Sequence, residues 1–375
     1  MNEDKATRYH RLKRRAAVAS AAWSGALLVL LCVTGGAVVL RDAVGAATGA
    51  WSLEVCLYVA AVALVHELGS APLAYYSGHR LEHRYGLSRQ RSWQWALDHV
   101  KGAAVGLALG IGVILLVYAT MRVWPERWWA LAAGLFSLLL ILFANVAPVL
   151  LLPLFFRFRP LDRPALRERL ERLAAAAGAR VMGVFQWDLG EKTVKANAAL
   201  TGLGGTRRIL IADTMLDQYS DDEIEVVLAH ELAHHVHGDI WRGIVLEAAL
   251  VLSGLYVADR VLRAVGPQIG VTHLADPAGI PLLLLAAGGV SVVLMPVALA
   301  VSRLLEHRAD RFALDLTRNP AAFATAMRRL GAQNMAEERP SRLVRWLFYS
   351  HPPLEDRIER ASRWKLPTPN SQLPS

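Results

Sequence analysis

The sequence predicts a mainly α-helical protein that crosses a membrane about six times and carries a small inserted α+β domain. Hydrophobic residues make up 54% of the 375 residues, a high share for a soluble protein and a typical one for a multispan membrane protein. Long apolar runs recur along the chain, and one polar stretch between them shows short strand patterns and a helix pattern. Together these observations predict a helical membrane protein with one soluble insert.

Each apolar run is long enough to cross a hydrocarbon core about 30 Å thick, which needs about 20 helical residues. The first run is too long for the apolar part of a signal peptide, so we expect it to remain as an anchor. The predicted spans are Ala17–Leu40, Trp51–Tyr76, Gly102–Met121, Trp128–Leu152, Ile244–Leu262 and Pro281–Leu304.

Positive charge predicts the orientation of these spans. Lys and Arg are concentrated in residues 1–15, between His79 and Lys101, and after the fourth span, whereas the loops on the opposite side carry few. By the positive-inside rule, both termini and residues 153–243 are cytoplasmic. The net charge of +9 is then explained by topology and by attraction to anionic lipid. No basic-aromatic motif indicates a nucleic-acid partner. The Arg-, Ala- and Leu-rich composition resembles that of proteins from a GC-rich bacterial genome, and we expect the protein in a bacterial inner membrane.

The spans divide the chain into five predicted regions. Cys32 and Cys56, the only cysteines, both lie inside predicted spans, so the sequence offers neither a disulfide framework nor a cysteine zinc site. The oligomeric state is left open. The regions are a membrane region of four spans (1–153), a cytoplasmic insert (154–243), a transmembrane hairpin (244–304), C-terminal helices (305–364) and a disordered tail (365–375).

Within the insert, residues Pro164–Ala177 have the pattern of an amphipathic helix. Three short β-rich runs follow, and Gly202, Gly204 and Gly205 predict a turn between the last two. An edge strand of such a ribbon could pair with an extended substrate. The predicted strands are Val181–Trp187, Thr193–Leu200 and Arg208–Ala212.

The motif His230-Glu231-x-x-His234 predicts a metal site on a helix. Acidic residues 221–223 suit a helix N-terminus, and apolar residues recur at helical spacing through Leu232. Two His four residues apart lie on one helix face, where they can hold one zinc ion. Glu231 can then accept a proton from a water molecule, which indicates a metal-dependent hydrolase.

A catalytic zinc usually has three protein ligands, and Glu306 is the best candidate for the third. It follows the sixth span, on the same side of the membrane as His230. Asp310, one turn further along, could accept a hydrogen bond from a ligand His. His235 and His237 are rival ligands for which we prefer supporting or surface roles, because His235 points about 100° away from His234. Asp239, just beyond them, could cap the helix end or support a ligand.

Ionisable residues inside predicted spans form a separate group. His66, Glu67 and Glu247 would lie at membrane depth, where such groups usually face a polar interior or a water-filled cavity. Structural pairing and a polar chamber enclosed by the spans are both open interpretations.

Several separated motifs make the chain resemble the type I CAAX prenyl endopeptidase family, integral-membrane zinc metalloproteases with a zincin-like catalytic domain. The resemblance covers roughly residues 65–360. The motifs are Pro153-Leu154-Phe155 with Phe158 and Pro160-Leu161, Asn197-Ala198 with Gly202, Arg208-Ile209 with Asp213-Thr214, His230-Glu231-x-x-His234, Glu306-x-x-Ala309-Asp310, and His351-Pro352 with Asp356-Arg357.

The resemblance implies one zinc ion bound by His230, His234 and Glu306, and a role for each further site residue. Four residues would complete the site: Glu231 as general base, Asp310 as support for a ligand, Asn197 as holder of the substrate backbone, and His351 as stabiliser of the oxyanion; Arg357 would help to shape it. From the residues alone, His351-Pro352-Pro353 indicates only a turn.

The substrates implied are membrane-associated or lipidated CAAX-type polypeptides at the bilayer surface. The chain departs from eukaryotic members in having six predicted spans where they usually have seven, and in Ala199 and His307-Arg308. A heat-shock-type metalloprotease that degrades damaged membrane proteins is the second interpretation. A zinc-binding receptor or transporter is the non-enzyme interpretation, although such a protein would not need Glu231 as a base.

Overall fold

The computed structural model describes residues 4–202 and 204–365. The predicted tail, residues 365–375, lies outside the described residues except for Lys365. The helices are α1 (Lys5–Val33), α2 (Gly36–Ala47), α3 (Trp51–Tyr75), α4 (Leu81–Arg84), α5 (Ser92–Val123), α6 (Trp128–Leu150), α7 (Pro164–Ala176), α8 (Asp213–Leu216), α9 (Asp221–Val236), α10 (Asp239–Val265), α11 (Ile280–Thr317), α12 (Pro320–Gln333), α13 (Arg342–Phe348) and α14 (Leu354–Arg363). The strands are β1 (Phe158–Pro160), β2 (Val184–Trp187), β3 (Ala198–Thr201) and β4 (Arg208–Ala212).

The long helices confirm the predicted membrane architecture. In the described part of the chain, 6 helical segments are long and apolar enough to cross a membrane. They contain α1, α3, α5, α6, α10 and α11. The protein is therefore an integral, multi-pass membrane protein, as its composition predicts.

The first predicted span, Ala17–Leu40, is interrupted. Helix α1 ends at Val33, and Gly35 adopts a φ of 73°, a left-handed conformation that glycine enters at little cost. The chain then restarts as α2, whose 12 residues are about 18 Å long at 1.5 Å per residue and too short to cross the bilayer. A continuous apolar run hid this break.

Helix α11 is the longest of the described helices and extends well beyond the predicted span Pro281–Leu304. Its 38 residues correspond to about 57 Å, roughly twice the thickness of a hydrocarbon core. The part beyond Leu304 carries Glu306 and Asp310. One helix therefore joins the membrane region to the candidate metal ligands.

The insert contains a four-stranded mixed sheet in the order β1-β2-β4-β3. The predicted hairpin is present as antiparallel β3 and β4, with Thr201 opposite Arg208, and Gly202 in the turn has a φ of 88°. Strand β2 pairs with β4 in parallel, and β2 and β3 are shorter than predicted. Strand β1 was not predicted, because three residues ending in Pro160 carry too little periodicity.

The two largest hydrophobic cores among the described residues lie in different parts of the protein. One lies among the spans and includes the buried Tyr58, Tyr118 and Trp128. The other lies in the soluble part, where Ile209 and Ile211 of β4 pack in the same cluster as buried residues of α7, α9 and α12. The apolar residues that recur at helical spacing in α9 are all buried there; they are Ile224, Val227, Leu228 and Leu232.

The ionisable residues predicted at membrane depth have different surroundings. The ring of His66 is 2.8 Å from Ser24 Oγ, and Glu67 is 2.6 Å from His99. Clefts of about 560 and 570 Å³ lie beside His66, and Glu67 lines the second. Glu247 is exposed on α10. His66 and Glu67 thus pair with neighbours and also border open space.

Close packing between α1 and α3 yields the first prediction. A Cβ at Gly69 would overlap the ring of Trp23, which shows how closely the two helices approach each other. Trp23 also donates a hydrogen bond to His66 O at 3.1 Å. We expect Gly69→Ala to displace Trp23 and to destabilise the protein by about 1–3 kcal/mol, the usual cost of overpacking.

The measurement is thermal unfolding of the purified protein in detergent. Gly102→Ala in α5 is the matched control, because a Cβ there meets nothing within 4 Å and alanine is the better helix former. Equal melting temperatures for the two variants would contradict the prediction.

Candidate active site

The helix that carries the zinc motif, α9, begins with a capping box. The Ser220 backbone N–H donates to Glu223 Oε2 at 2.8 Å, and Ser220 Oγ accepts from Glu223 N at 3.3 Å. The cap therefore lies one residue before the predicted acidic start at Asp221. This cap and the buried apolar face fix the helix in position.

His230, His234 and Glu306 come together in one cluster. Each offers an atom that could bind a metal, and these atoms all lie within 4.8 Å of one another. His230 Nε2 is 3.3 Å from Glu306 Oε2, and His234 Nε2 is 3.5 Å from Glu306 Oε1. Helix α9 supplies the two imidazoles and α11 supplies the carboxylate.

A carboxylate contacts the Nδ1 atom of each imidazole, on the side of the ring away from Glu306. His230 Nδ1 is 3.0 Å from Asp310 Oδ1, and His234 Nδ1 is 3.1 Å from Asp239 Oδ2. These contacts fix the tautomer that leaves each Nε2 free to bind a metal, as carboxylates commonly do in zinc proteins. Asp239, for which capping and ligand support were both open, contacts the candidate ligand His234.

The donor set fits zinc. Two imidazole nitrogens and one carboxylate oxygen form a common set for a catalytic zinc ion. Glu306 Oε2 is buried and has no hydrogen bond of good geometry, because His230 Nε2 lies 3.3 Å away without aligning as a donor. A buried carboxylate oxygen without a donor is costly unless a cation neutralises it. The site is therefore suited to a divalent cation.

The electrostatics of the imidazoles are consistent with a cation site. Burial lowers the pKa of His230, but Asp310 and Glu306 outweigh burial and raise this pKa to about 9. The pKa of His234 is also raised, because contacts with Glu306 and Asp239 outweigh its burial. Without a metal, these rings attract protons to the position where a cation would bind. Metal binding would then release protons.

Glu231 lies beside the cluster with a perturbed carboxyl group. Burial raises the pKa of Glu231, and the neighbouring His230 and His234 oppose this rise only in part. A raised pKa brings a carboxyl group closer to the working pH, which suits a group that must accept and then return a proton.

Arg357 lies deep in the site rather than at its edge. Its Nε and Nη2 donate to the two oxygens of Asp310 at 2.9 and 2.5 Å, and Nη2 lies 3.3 Å from His230 Nδ1. Burial lowers the pKa of Arg357, but the Asp310 carboxylate outweighs this effect and raises it. Arg357 therefore fixes the carboxylate that orients His230.

The structure brings His351 to the cluster and leaves Asn197 at the start of a strand. His351 Nε2 is 3.2 Å from Glu306 Oε1, and 58% of the His351 side chain is exposed. The side chain of Asn197 is exposed, and its backbone carbonyl accepts from Ala212 N at 2.9 Å.

The rival ligands lie elsewhere. His235 Nε2 is 2.9 Å from Leu200 O of β3, so this ring links the metal-binding helix to the edge strand. The His237 ring packs edge-on against Phe312, with centroids 5.3 Å apart. Neither belongs to the cluster, which agrees with the preference for supporting or surface roles.

Removing Arg357 is expected to damage the site through Asp310. Arg357→Ala would leave a buried carboxylate without its cation, a change that typically costs about 3–5 kcal/mol. We also expect weaker metal binding, because Asp310 would no longer be fixed behind His230.

Thermal unfolding and metal content measure these two effects. Arg363→Ala on the same helix, α14, is the control, because its ion pair with Glu359 is exposed and should contribute little. Similar small losses in both variants would mean that Arg357 does not orient the site.

Comparison with known proteins identifies the family. Residues 160–365 match the family model described as peptidase family M48. The chain belongs to peptidase family M48. Residues 2–157 of this M48 peptidase match the model described as the CAAX prenyl protease N-terminal region, with five membrane helices. Within these residues the structure has four helices long enough to cross a membrane and the shorter α2.

Similar proteins come from bacteria and eukaryotes. An uncharacterized metalloprotease, YhfN of Bacillus subtilis, is 30% identical over 344 residues, covering 90% of this chain and 80% of that protein. A CAAX prenyl protease 1 homolog of Arabidopsis thaliana is 28% identical, covering 82% of this chain and 73% of the relative. The crystal structure of S. mikatae Ste24p has the same fold, with a TM-score of 0.83 and 22% identity over 95% of this chain and 88% of that chain.

Family membership makes this M48 peptidase a membrane metalloendopeptidase. It supports the enzyme interpretation over the receptor or transporter interpretation, because Glu231 follows the first His as in a hydrolase. The family implies a metal, and the structure has a cluster with ligands suited to one.

Proposed function

We propose that this protein binds one zinc ion through His230, His234 and Glu306 and hydrolyses peptide bonds of membrane-associated, lipidated polypeptides. The observation that carries this proposal is the cluster itself, with its ligand atoms within 4.8 Å and a carboxylate behind each imidazole. The proposed catalytic unit combines the insert, residues 154–243, with the C-terminal helices, residues 305–364.

The proposed roles follow from the positions of the side chains. When bound, zinc would act as a Lewis acid that polarises a peptide carbonyl and lowers the pKa of a water molecule. Glu231 accepts a proton from the attacking water and returns it to the leaving amine. His351 donates a hydrogen bond to the carbonyl oxygen as negative charge develops there. Arg357 and Asp310 hold His230 in its working orientation.

Strand β3 is the proposed binding edge for the substrate backbone. Asn197 O accepts a hydrogen bond from Ala212 N, so the backbone carbonyl of Asn197 points towards β4. Because hydrogen-bonded and non-hydrogen-bonded pairs alternate in an antiparallel ladder, the backbone N–H and C=O groups of Ala198 and Leu200 point away from β4. Leu200 O is bonded to His235, which leaves Ala198 to pair with an extended peptide. Asn197, directly before this strand, would hold the substrate backbone next to the scissile bond.

The proposed substrate class follows from the position of the site at the membrane. Glu306 lies just beyond the sixth predicted span, so a lipid-anchored peptide would reach the site without leaving the bilayer surface. The matched relatives named CAAX prenyl proteases support a lipidated CAAX-type C-terminus. The distribution of Lys and Arg supports a cytoplasmic site and cytoplasmic termini. The composition supports a bacterial inner membrane.

The test compares three substrates of the purified protein in vesicles: a farnesylated CAAX peptide, the same peptide without lipid, and an unfolded membrane protein. We expect kcat/KM for the farnesylated peptide to exceed that for the bare peptide by at least about tenfold, since burying even a few methylene groups contributes this much. Cleavage of the unfolded membrane protein alone would favour the quality-control interpretation. Equal cleavage of both peptides would refute lipid recognition.

A further inference from the structure

A positively charged cleft lies next to the active site, where it is lined by His307 and Pro352, the sequence neighbours of Glu306 and His351. It has a volume of about 760 Å³ and lies where α11, α13 and α14 meet. Four arginines line it: Arg303 of α11, Arg342 and Arg345 of α13, and Arg360 of α14. Among the described residues that line the cleft, the only carboxylate is that of Asp356.

The partners of these arginines do not balance their charge. Arg303 donates to two backbone carbonyls, those of Arg345 at 3.2 Å and Tyr349 at 2.6 Å. Arg345 lies 3.5 Å from Asp356, and Arg360 donates to the ring of His307. The cleft thus has an excess of positive charge. A bound anion would relieve the repulsion among the arginines, because charges a few ångströms apart interact strongly in a partly buried cleft.

The cleft lies at the level where α11 leaves the bilayer. Val293 and Val297 on α11 are exposed, and Leu304 of the cleft is 63% exposed. The next exposed residues along the helix are Arg308 and Arg311. This change from exposed apolar to exposed charged side chains marks the membrane surface, since the hydrocarbon core excludes charge.

Exposed apolar residues flank the arginines on α13. Leu343 is 64% exposed and Trp346, which lines the cleft, is 51% exposed. Tryptophan is enriched at the membrane–water interface, and a helix with basic and apolar faces lies in that plane. The exposed apolar side chains therefore suit contact with lipid acyl chains, and the neighbouring arginines suit contact with a phosphate group.

We propose that this cleft binds the phosphate headgroup of an anionic phospholipid, such as phosphatidylglycerol, in the leaflet nearest the active site. The arginines would bind the phosphate, and Leu343 and Trp346 would contact the acyl chains. Free phosphate would satisfy the arginines but would leave these two apolar side chains in water. A lipid satisfies both halves of the surface.

A bound headgroup would also affect the active site. Arg303 bonds to Tyr349 O, and His351, two residues later, lies beside Glu306. Fixing α13 against α11 would therefore keep His351 in place. This consequence rests on the proposed role of His351, whereas the binding itself does not.

The test uses the purified full-length protein in vesicles of phosphatidylcholine that contain a photoactivatable phosphatidylglycerol. We expect crosslinks to the segment from Arg342 to Phe348. In Arg342→Gln/Arg345→Gln their yield should fall roughly thirtyfold, because each of the two basic residues near an anionic membrane contributes about 1 kcal/mol. Arg342→Lys/Arg345→Lys keeps the charge and should retain most of the yield.

Arg180→Gln/Arg328→Gln is the matched control, because it removes two exposed arginines from the soluble part and should leave the yield unchanged. Metal content of each variant reports correct folding. An equal loss of crosslinking yield in both glutamine variants would mean that only the overall charge matters, and would overturn the proposed site. Crosslinks in the wild type that avoid α13 would overturn it without any variant. Full competition by inorganic phosphate would overturn the choice of a lipid.

Discussion

Replacing Glu231 by glutamine is expected to lower the rate of peptide cleavage by a factor of about 10² to 10⁴, the usual contribution of a general base, while the metal remains bound. Glutamine has nearly the same shape as glutamate but cannot accept a proton at neutral pH. Glu231 is not part of the cluster of possible ligands, which consists of His230, His234 and Glu306. The substitution should therefore separate proton transfer from metal binding.

Two measurements on the same preparation check this prediction: the turnover of a cleaved peptide and the metal content per chain. Glu225→Gln is the matched control, because it changes a glutamate on the same helix that pairs with Arg169 instead of facing the site. The control should retain nearly full activity. Normal cleavage by Glu231→Gln would show that another group takes the proton.

Replacing Glu306 by alanine is expected to remove the metal and, with it, all measurable cleavage. Glu306 is the only member of the cluster contributed by α11, and its oxygens face His230 and His234 at 3.3 and 3.5 Å. Two imidazoles alone bind zinc much more weakly than three ligands do. The loss of the metal should also lower stability. A metal that binds only the folded protein adds its binding free energy to the free energy of unfolding.

Metal analysis and thermal unfolding, with and without a chelator, measure both effects. In the wild type the chelator should lower the melting temperature, whereas in Glu306→Ala it should change nothing. Glu168→Ala, at an exposed i,i+4 pair with Arg172, should behave like the wild type. If the chelator left the melting temperature of the wild type unchanged, the metal would not join α9 to α11.

Features set by local sequence were predicted well. The metal-binding helix was predicted to within one residue of its cap, because the acidic first turn and the apolar spacing lie within the helix itself. The six spans follow from the length of apolar runs. Glu306 could be selected from the sequence because topology alone brings it to the same membrane face as His230. The structure then brings these residues within metal-binding distance of one another.

Features set by tertiary contacts were not predictable in the same way. The break at Gly35 depends on backbone conformation inside an apolar run, and β1 exists only because β2 lies beside it. The bond of Arg357 to Asp310 joins α14 to α11. The contact of Asp239 with His234 joins the start of α10 to the last turn of α9. A resemblance could indicate that Arg357 matters, but only the fold reveals which atoms it contacts.

The length of α11 leads us to expect that the reaction rate depends on the thickness of the bilayer. Pro296 lies within the helix about 15 Å before Glu306, at 1.5 Å per residue, and a proline is a natural bending point. A change in tilt of about 5° at that point would move Glu306 by roughly 1 Å, and a displacement of this size can cost about 10²-fold in rate. Membrane helices change tilt when bilayer thickness changes. Acyl-chain length should thus change the reaction rate through the tilt of one helix, without a dedicated regulatory ligand.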